Sequence, residues 1–383
     1  MGGGVGTFGF NLACALAARG MRVLVVTRRE SASLARNERF AHGSVVFRRV
    51  PPSGAGRLGK YLMVPALFLE LLRLRRQYEV IYLFGLRVLG PACVAAARLA
   101  GKPCVLRADV SGEVSASFIW DRVSGASAPM LWILRRLVAA RDAVLRRADR
   151  LVSISGEIYQ EYLDAGIDPA KVERIPNGVD VGRFVPADAA LRTALRAQFG
   201  WEPQTVFLFT GRLHPIKGID VLLRAWRRLV DEVDGVRLVL VGSGEAEHEL
   251  RAAAAGLDAS VSFLGQAPDV LPYLQAADAF VLPSRREGFS ISLLEAAAAG
   301  LPVIATRTSG TVEIIADGQT GRLVEVDDDD GLCEAMEEVV AHPDAAKRMA
   351  NAGREAVRSR YSIEASAARH AALFERACRE RRI

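Results

Sequence analysis

Short apolar runs alternate along the chain with longer segments whose apolar positions recur every three or four residues. That is the pattern of a parallel sheet covered on both faces by helices. In the first half, MRVLVVT (21–27), EVIYLF (79–84), CVLRAD (104–109) and RLVSIS (150–155) are predicted strands. Between the chain start and the first of them, 7–19 is a predicted helix with Phe8, Leu12 and Leu16 on one face and Gly20 just past its end. After VPADAA the pattern begins again with TVFLFTG (205–211), VRLVLVG (236–242), VSFLG (261–265), AFVLPS (279–284) and PVIAT (302–306). The prediction is an α/β protein of two doubly wound domains meeting near residue 185. Ligands in such sheets sit outside the carboxyl ends of the strands, so two such domains facing one another predict a cleft lined by strand-end loops.

Composition agrees with two cores. Of 383 residues, 50% are hydrophobic and 25% charged, enough apolar mass for a pair of ordinary domains. No stretch reaches the roughly 20 uninterrupted apolar residues of a membrane span; the best, 61–72, contains Pro65 and Glu70. No secretory signal pattern opens the chain. The five cysteines, Cys14, Cys93, Cys104, Cys333 and Cys378, show no metal-ligand or redox spacing, which predicts reduced thiols in a cytoplasm. Charge is divided unequally. Residues 1–186 hold 27 Lys+Arg against 15 Asp+Glu, whereas 187–383 hold 23 against 29, so the two halves present different surfaces to partners. The basic segments 57–76 and 131–150 admit two readings, docking on anionic lipid or core-facing helices with snorkelling arginines.

Three loops carry candidate chemistry. GRLHPIKGID (211–220) follows a strand and offers Arg212 and Lys217, a fork and a point charge suited to a diphosphate. Only five lysines stand among forty-five arginines, which makes Lys217 informative. LVGSGE (240–245) ends a strand with Gly242 and Gly244, through which backbone approaches a ligand closely. SRREGFSISLLEAAAAGLP (284–302) predicts a helix of about three turns from Ser290. Glu287 then lies just before the helix and Glu295 within it, leaning back toward the same mouth. The amides of Gly288, Phe289 and Ser290 stand at the positive end of the helix dipole. Carboxylates accept hydrogen bonds from sugar and ribose hydroxyls, so this loop suits a polyhydroxylated ligand.

Taken together these segments resemble the retaining GT-B glycosyltransferases of family 4. Glu287 and Glu295 match the E-x7-E signature, and GRLHPIKG matches the G-R-L-x-x-x-K-G loop. RIPNGVDVGRF (174–184) resembles the interdomain segment, and GGGVGTFGFNLACALAARG the N-terminal loop and first helix. The resemblance implies an acceptor-side Rossmann-like domain, 1–185, with the tail 361–383 packing back on it, and a nucleotide-sugar domain, 186–360. It implies metal-independent transfer of a sugar, with retention, from a nucleotide-diphosphate sugar to a glycan or lipid-linked acceptor in cell-surface polysaccharide synthesis, with no separate cofactor. Arg212 and Lys217 would hold the donor diphosphate, Glu295 the ribose, and Glu287 with the amides of Gly288 to Ser290 the sugar. Gly242 and Gly244 would flank the nucleotide, and Gly3, Gly4 and Gly6 would approach the phosphates. A cytoplasmic location, peripheral at an anionic membrane surface, goes with that reading, and nucleic acid is not an expected partner.

Two departures from the family stand out. Asp109 occupies the position of a common histidine at the end of the strand VLRAD, where an ionised carboxylate accepts but cannot donate; Glu113 and Arg107 are nearby candidates to rebuild the contact. Nothing but Met1 precedes the glycines, where relatives have a strand, so the first strand of the N-terminal domain is apparently missing and Met1 is expected to be internal to a longer natural protein. Rival readings are weaker. A dinucleotide oxidoreductase wants an acidic residue after VLVVT and meets Arg28 and Arg29 instead. A nucleotide-sugar epimerase fits the E-x7-E pair poorly, and a binding protein that has lost transfer remains an alternative. The Asp-x-Asp within Asp327 to Asp330 precedes a helix and is better read as its acidic N-terminus than as a metal motif.

Overall fold

The computed structural model describes residues 4–54, 56–117 and 127–382. They form two compact units, one of residues 9–176 with 366–383 and the other of residues 1–8 with 177–365. The division thus falls at Asn177 rather than near 185. Asn177 Nδ2 donates to Phe289 O at 2.8 Å, and Val179 exchanges backbone bonds of 2.9 and 2.8 Å with Tyr361 and Ile363, which ties this segment into the 177–365 unit.

Among its described residues the first of these units holds seven strands in two sheets. β1 (Val23–Arg28), β2 (Asn37–Phe40) and β3 (Val45–Val50) lie in the order β1-β3-β2, with β1 parallel and β2 antiparallel to β3. β4 (Ile81–Phe84), β5 (Cys104–Ala108), β6 (Arg150–Ser153) and β7 (Val172–Arg174) form an all-parallel sheet in chain order. Among the described residues β1 pairs only with β3, and β4 only with β5. Strands β2, β3 and β7 were not predicted. NERF is polar, VER is too short for a period, and VVFRRV places two arginines inside a strand. The Gly4–Ala18 helix buries Phe8, Leu12 and Leu16 as its spacing requires, and Gly20 turns the chain at φ +84°. Phe10, Phe40 and Phe47 add an edge-on aromatic cluster beside Val45. In the C-terminal Ile363–Arg382 helix, His370 is buried and shares a 2.8 Å hydrogen bond between Nε2 and Tyr82 OH.

The second unit is one parallel sheet. β8 (Thr205–Thr210), β9 (Val236–Val241), β10 (Val261–Gly265), β11 (Ala279–Leu282), β12 (Val303–Thr306) and β13 (Arg322–Val324) lie in the order β10-β9-β8-β11-β12-β13. β8, β9, β11 and β12 are almost wholly buried, as their unbroken apolar runs predict. The Ile219–Glu232 helix covers one face with Trp226, which meets Phe207 edge-on at 5.6 Å. The chain leaves β8 toward β9 and β10, then returns to lay β11 on β8's other side. The topological switch point, and with it the natural crevice, is between the loops that follow β8 and β11.

Those two loops touch at Gly218, whose φ is +63° and where a Cβ would lie 2.0 Å from Pro283 O. Gly218→Ala is expected to destabilise this unit by at least about 2 kcal/mol, because both the left-handed backbone and a backbone oxygen oppose the methyl group. Thermal unfolding of the variant against wild type measures it.

Candidate active site

At the switch point the two loops are held together by charge. Arg285, just after β11, bonds Asp220 at 2.8 and 2.7 Å, Pro215 O at 2.7 Å and Asp327 at 2.6 Å, while its amide donates to Ile216 O at 2.8 Å. This clamp fixes the one-turn segment Pro215–Lys217, which His214 caps by accepting from Ile216 N at 3.0 Å. Lys217 Nζ consequently reaches Glu287 Oε1 at 2.5 Å, and Ser284 Oγ donates to the same oxygen at 2.7 Å. A cation and a carboxylate from neighbouring loops thus meet here, with Ser284 as a partner that the sequence reading missed.

Arg212 takes a different partner. Its Nη2 lies 2.9 Å from Glu245 Oε2, and His214 Nε2 lies 3.1 Å from Glu245 Oε1. Arg212 is exposed and pairs with Glu245 while Lys217 pairs with Glu287, so the two cations each meet a separate carboxylate instead of sharing one. Glu245 and His214 were not singled out by sequence. Gly242 and Gly244 have a packing role in any case. A Cβ on Gly242 would lie 1.8 Å from Gly211 O, and one on Gly244 2.1 Å from Leu213 O, so both let the loop after β9 lie against the loop after β8.

The helix after β11 spans Ile291–Ala298, about two turns rather than three. Ser290 caps it by accepting from Leu293 N at 3.4 Å. Phe289 is buried against Tyr361 at 5.2 Å, which commits its ring to packing and leaves its backbone for the loop. The amides of Gly288, Phe289 and Ser290 donate to no described residue. Glu295 is 8% exposed and its carboxylate makes no hydrogen bond to a described residue. Burial pushes its pKa up to about 7, while Arg183 lowers it and Asp269 raises it; those two are themselves paired at 2.8 Å. A buried carboxylate left without donors in the protein is costly unless a ligand supplies them. The Asp-x-Asp segment forms the N-terminus of the Asp329–Ala341 helix. Asp328 caps it through Gly331 N at 2.9 Å, and Asp327 is taken by Arg285.

The remaining candidates lie elsewhere. Gly3 falls outside the described residues. Gly4 and Gly6 are in the first turn of the Gly4–Ala18 helix, and a Cβ on Gly4 would lie 3.4 Å from Ile291 Cδ1. Asp109 belongs to the 9–176 unit, buried at the end of β5, where Arg107 Nε donates to its Oδ1 at 2.8 Å. Its amide donates to Glu113 Oε2 at 3.2 Å, and Glu113 Oε1 pairs with Arg87 at 3.1 Å. Burial raises both carboxyl pKa values, opposed at Asp109 by Arg107. Arg107 and Glu113, the two residues expected to compensate for Asp109, thus contact it directly.

Comparison with known proteins shows the family and the fold. The profile of "Glycosyltransferase Family 4" matches residues 2–183, and that of "Glycosyl transferases group 1" residues 204–342. A GDP-mannose-dependent alpha-(1-6)-phosphatidylinositol monomannoside mannosyltransferase of Mycobacterium tuberculosis is 34% identical over 71% of this chain and 70% of its own length. The chain belongs to the family 4 glycosyltransferases. A GDP-mannose-dependent monoacylated alpha-(1-6)-phosphatidylinositol monomannoside mannosyltransferase of Corynebacterium glutamicum is 35% identical over 56% of this chain, a match that spans 59% of that relative. Sucrose-phosphate synthase of Thermosynechococcus elongatus superposes with a TM-score of 0.80 at 24% identity, covering 98% of this chain and 93% of that one, which shows the GT-B fold of two Rossmann-like units.

The position of Glu295 has a measurable consequence. Its pKa is raised in the folded state, so between the ordinary carboxylate value and about 7 the unfolded chain releases a proton that the folded chain keeps. The stability Glu295 contributes is full below pH 4.5, the reference value, and is lost as pH rises to about 7. Glu295→Gln is expected to remove this decline, seen as a flatter plot of unfolding free energy against pH between those limits.

Proposed function

We propose that this protein transfers a sugar from a nucleoside-diphosphate donor to a hydroxyl of a glycan or lipid-linked acceptor. Retention at the anomeric carbon and independence of metal are carried over from the family. The observation that supports the reading most is the meeting of Lys217 and Glu287 across the switch point, with the amides of Gly288 to Ser290 and the buried carboxylate of Glu295 making no hydrogen bond to a described residue. Lys217, with Arg212, would neutralise the diphosphate as the bond to the anomeric carbon breaks, an electrostatic contribution made by charges already in place. Binding a diphosphate exchanges Lys217's carboxylate partner for a phosphate oxygen and frees Glu287 to accept from the sugar. Glu295 would accept from ribose hydroxyls, and the amides of Gly288 to Ser290 would face donor oxygens. In the other unit, Asp109 and Glu113 are acceptors for substrate hydroxyls.

The names of the two mannosyltransferase relatives make GDP-mannose the first donor to try and a phosphatidylinositol mannoside the first acceptor class. A lipid-linked acceptor fits a role in cell-surface glycan synthesis at the inner face of a membrane. The test combines thermal shift with GDP-mannose, UDP-glucose and ADP-glucose and measurement of nucleotide release with and without acceptor. One donor is expected to raise Tm, and acceptor is expected to accelerate release. Lys217→Ala is expected to abolish the shift and lower turnover by at least about 100-fold, the scale of losing one preorganised charge at a developing anion. Absence of a shift with every donor, or full turnover by the alanine variant, overturns the reading; release indifferent to acceptor assigns binding without transfer.

A further inference from the structure

One side chain in the loop after β8 is linked to both cations of the candidate site. His214 is half-buried and stands between Arg212 and Lys217, at a position that G-R-L-x-x-x-K-G leaves open. Its two ring nitrogens have two different partners. Nδ1 accepts from the amide of Ile216 at 3.0 Å. An amide nitrogen only donates, so Nδ1 carries no proton and the ring's proton sits on Nε2. Nε2 lies 3.1 Å from Glu245 Oε1 and donates to it. The imidazole needs no positive charge to hold both partners.

Each partner leads to one cation. Ile216 is the middle residue of the Pro215–Lys217 turn, so fixing its amide fixes the direction in which Lys217 leaves the backbone. Arg285 donates from its own amide to Ile216 O at 2.8 Å, which commits the other polar group of that residue. On the Nε2 side, Glu245 Oε2 takes Arg212 Nη2 at 2.9 Å. The backbone on either side of Glu245 is seated on the loop after β8. Ala246 N donates to Leu213 O at 3.0 Å, and a Cβ on Gly244 would lie 2.1 Å from the same oxygen. Glu245 is thereby a fixed point whose two oxygens space His214 from Arg212. An exposed ion pair contributes little stability by itself, but a carboxylate held at both oxygens restricts an arginine that otherwise samples many rotamers.

We infer that His214 is a positioning residue, which sets Lys217 through the Pro215–Lys217 turn and Arg212 through Glu245 and so spaces two cations for the two phosphates of a nucleoside diphosphate. The inference rests on the reading that both cations meet the donor diphosphate. Its test uses two amides, because asparagine reaches the Nδ1 position and glutamine the Nε2 position. Calorimetry of the full-length chain with GDP, UDP and ADP finds the diphosphate that binds, and GMP, UMP or AMP serves as the matching monophosphate. His214→Ala is expected to weaken diphosphate binding by at least about tenfold, the scale of one hydrogen bond to a charged group. It is also expected to narrow the preference for diphosphate over monophosphate, which a general loss of folded protein leaves unchanged. His214→Asn and His214→Gln are each expected to recover part of the loss. In a Glu245→Ala background the glutamine variant is expected to bind no better than the alanine one, while the asparagine variant keeps its advantage. Binding by His214→Ala equal to wild type, or a loss shared equally by the monophosphate, overturns the inference. So does recovery by neither amide, or a glutamine advantage that survives removal of Glu245. A loss in Lys217→Ala beside an unaffected His214→Ala overturns this inference alone, whereas wild type and Lys217→Ala that bind every diphosphate alike overturn the donor reading beneath it.

Discussion

Two loops that leave adjacent strands of the second unit are drawn together by opposite charges, and the candidate site depends on that contact. β8 and β11 are neighbours although the chain makes two further strands between them, so the loops at their carboxyl ends diverge in sequence and meet only in space. Arg285 binds the first loop through Asp220 and Pro215, and Gly218 lets it pass within contact of Pro283. Given that clamp, Lys217 has one direction in which to reach, and Glu287 is there. The ion pair is partly buried, which makes it more than an exposed charge pair.

Buried acids are treated differently in the two units. Asp109 has Arg107 against one oxygen, its amide donates to Glu113, and Glu113 pairs with the half-exposed Arg87. Glu295 feels opposing charges from Arg183 and Asp269 and makes no hydrogen bond to a described residue. The first arrangement resists change and orients oxygens. The second leaves a carboxylate without a hydrogen-bond donor among the described residues, and burial raises its pKa to about 7.

The surface repeats the contrast between satisfied and unsatisfied groups. The Gly59–Arg73 helix buries Met63, Leu67 and Leu71 and exposes Tyr61, Leu62 and Leu69, while the Ala128–Leu145 helix buries Leu145, half-buries Leu131, Leu134 and Val138 and exposes Met130, Trp132, Ile133 and Leu137. Composition alone treats the two alike. Only the position of Leu145 against Gly90 shows which side of the second helix is spoken for.

The sequence by itself determined the α/β class, the main buried strands and the loops that carry Lys217, Glu287 and Glu295, because period, strand-end glycines and spacing are local properties of the chain. It did not reveal β2, β3 or β7, whose short or arginine-containing segments form strands only when a neighbour supplies the ladder. Nor did it show that Arg212 pairs with Glu245 while Lys217 pairs with Glu287, or that Ser284 joins the latter. Tertiary structure decided these, because strand order sets which loops adjoin and a charged side chain takes the partner that packing brings within reach.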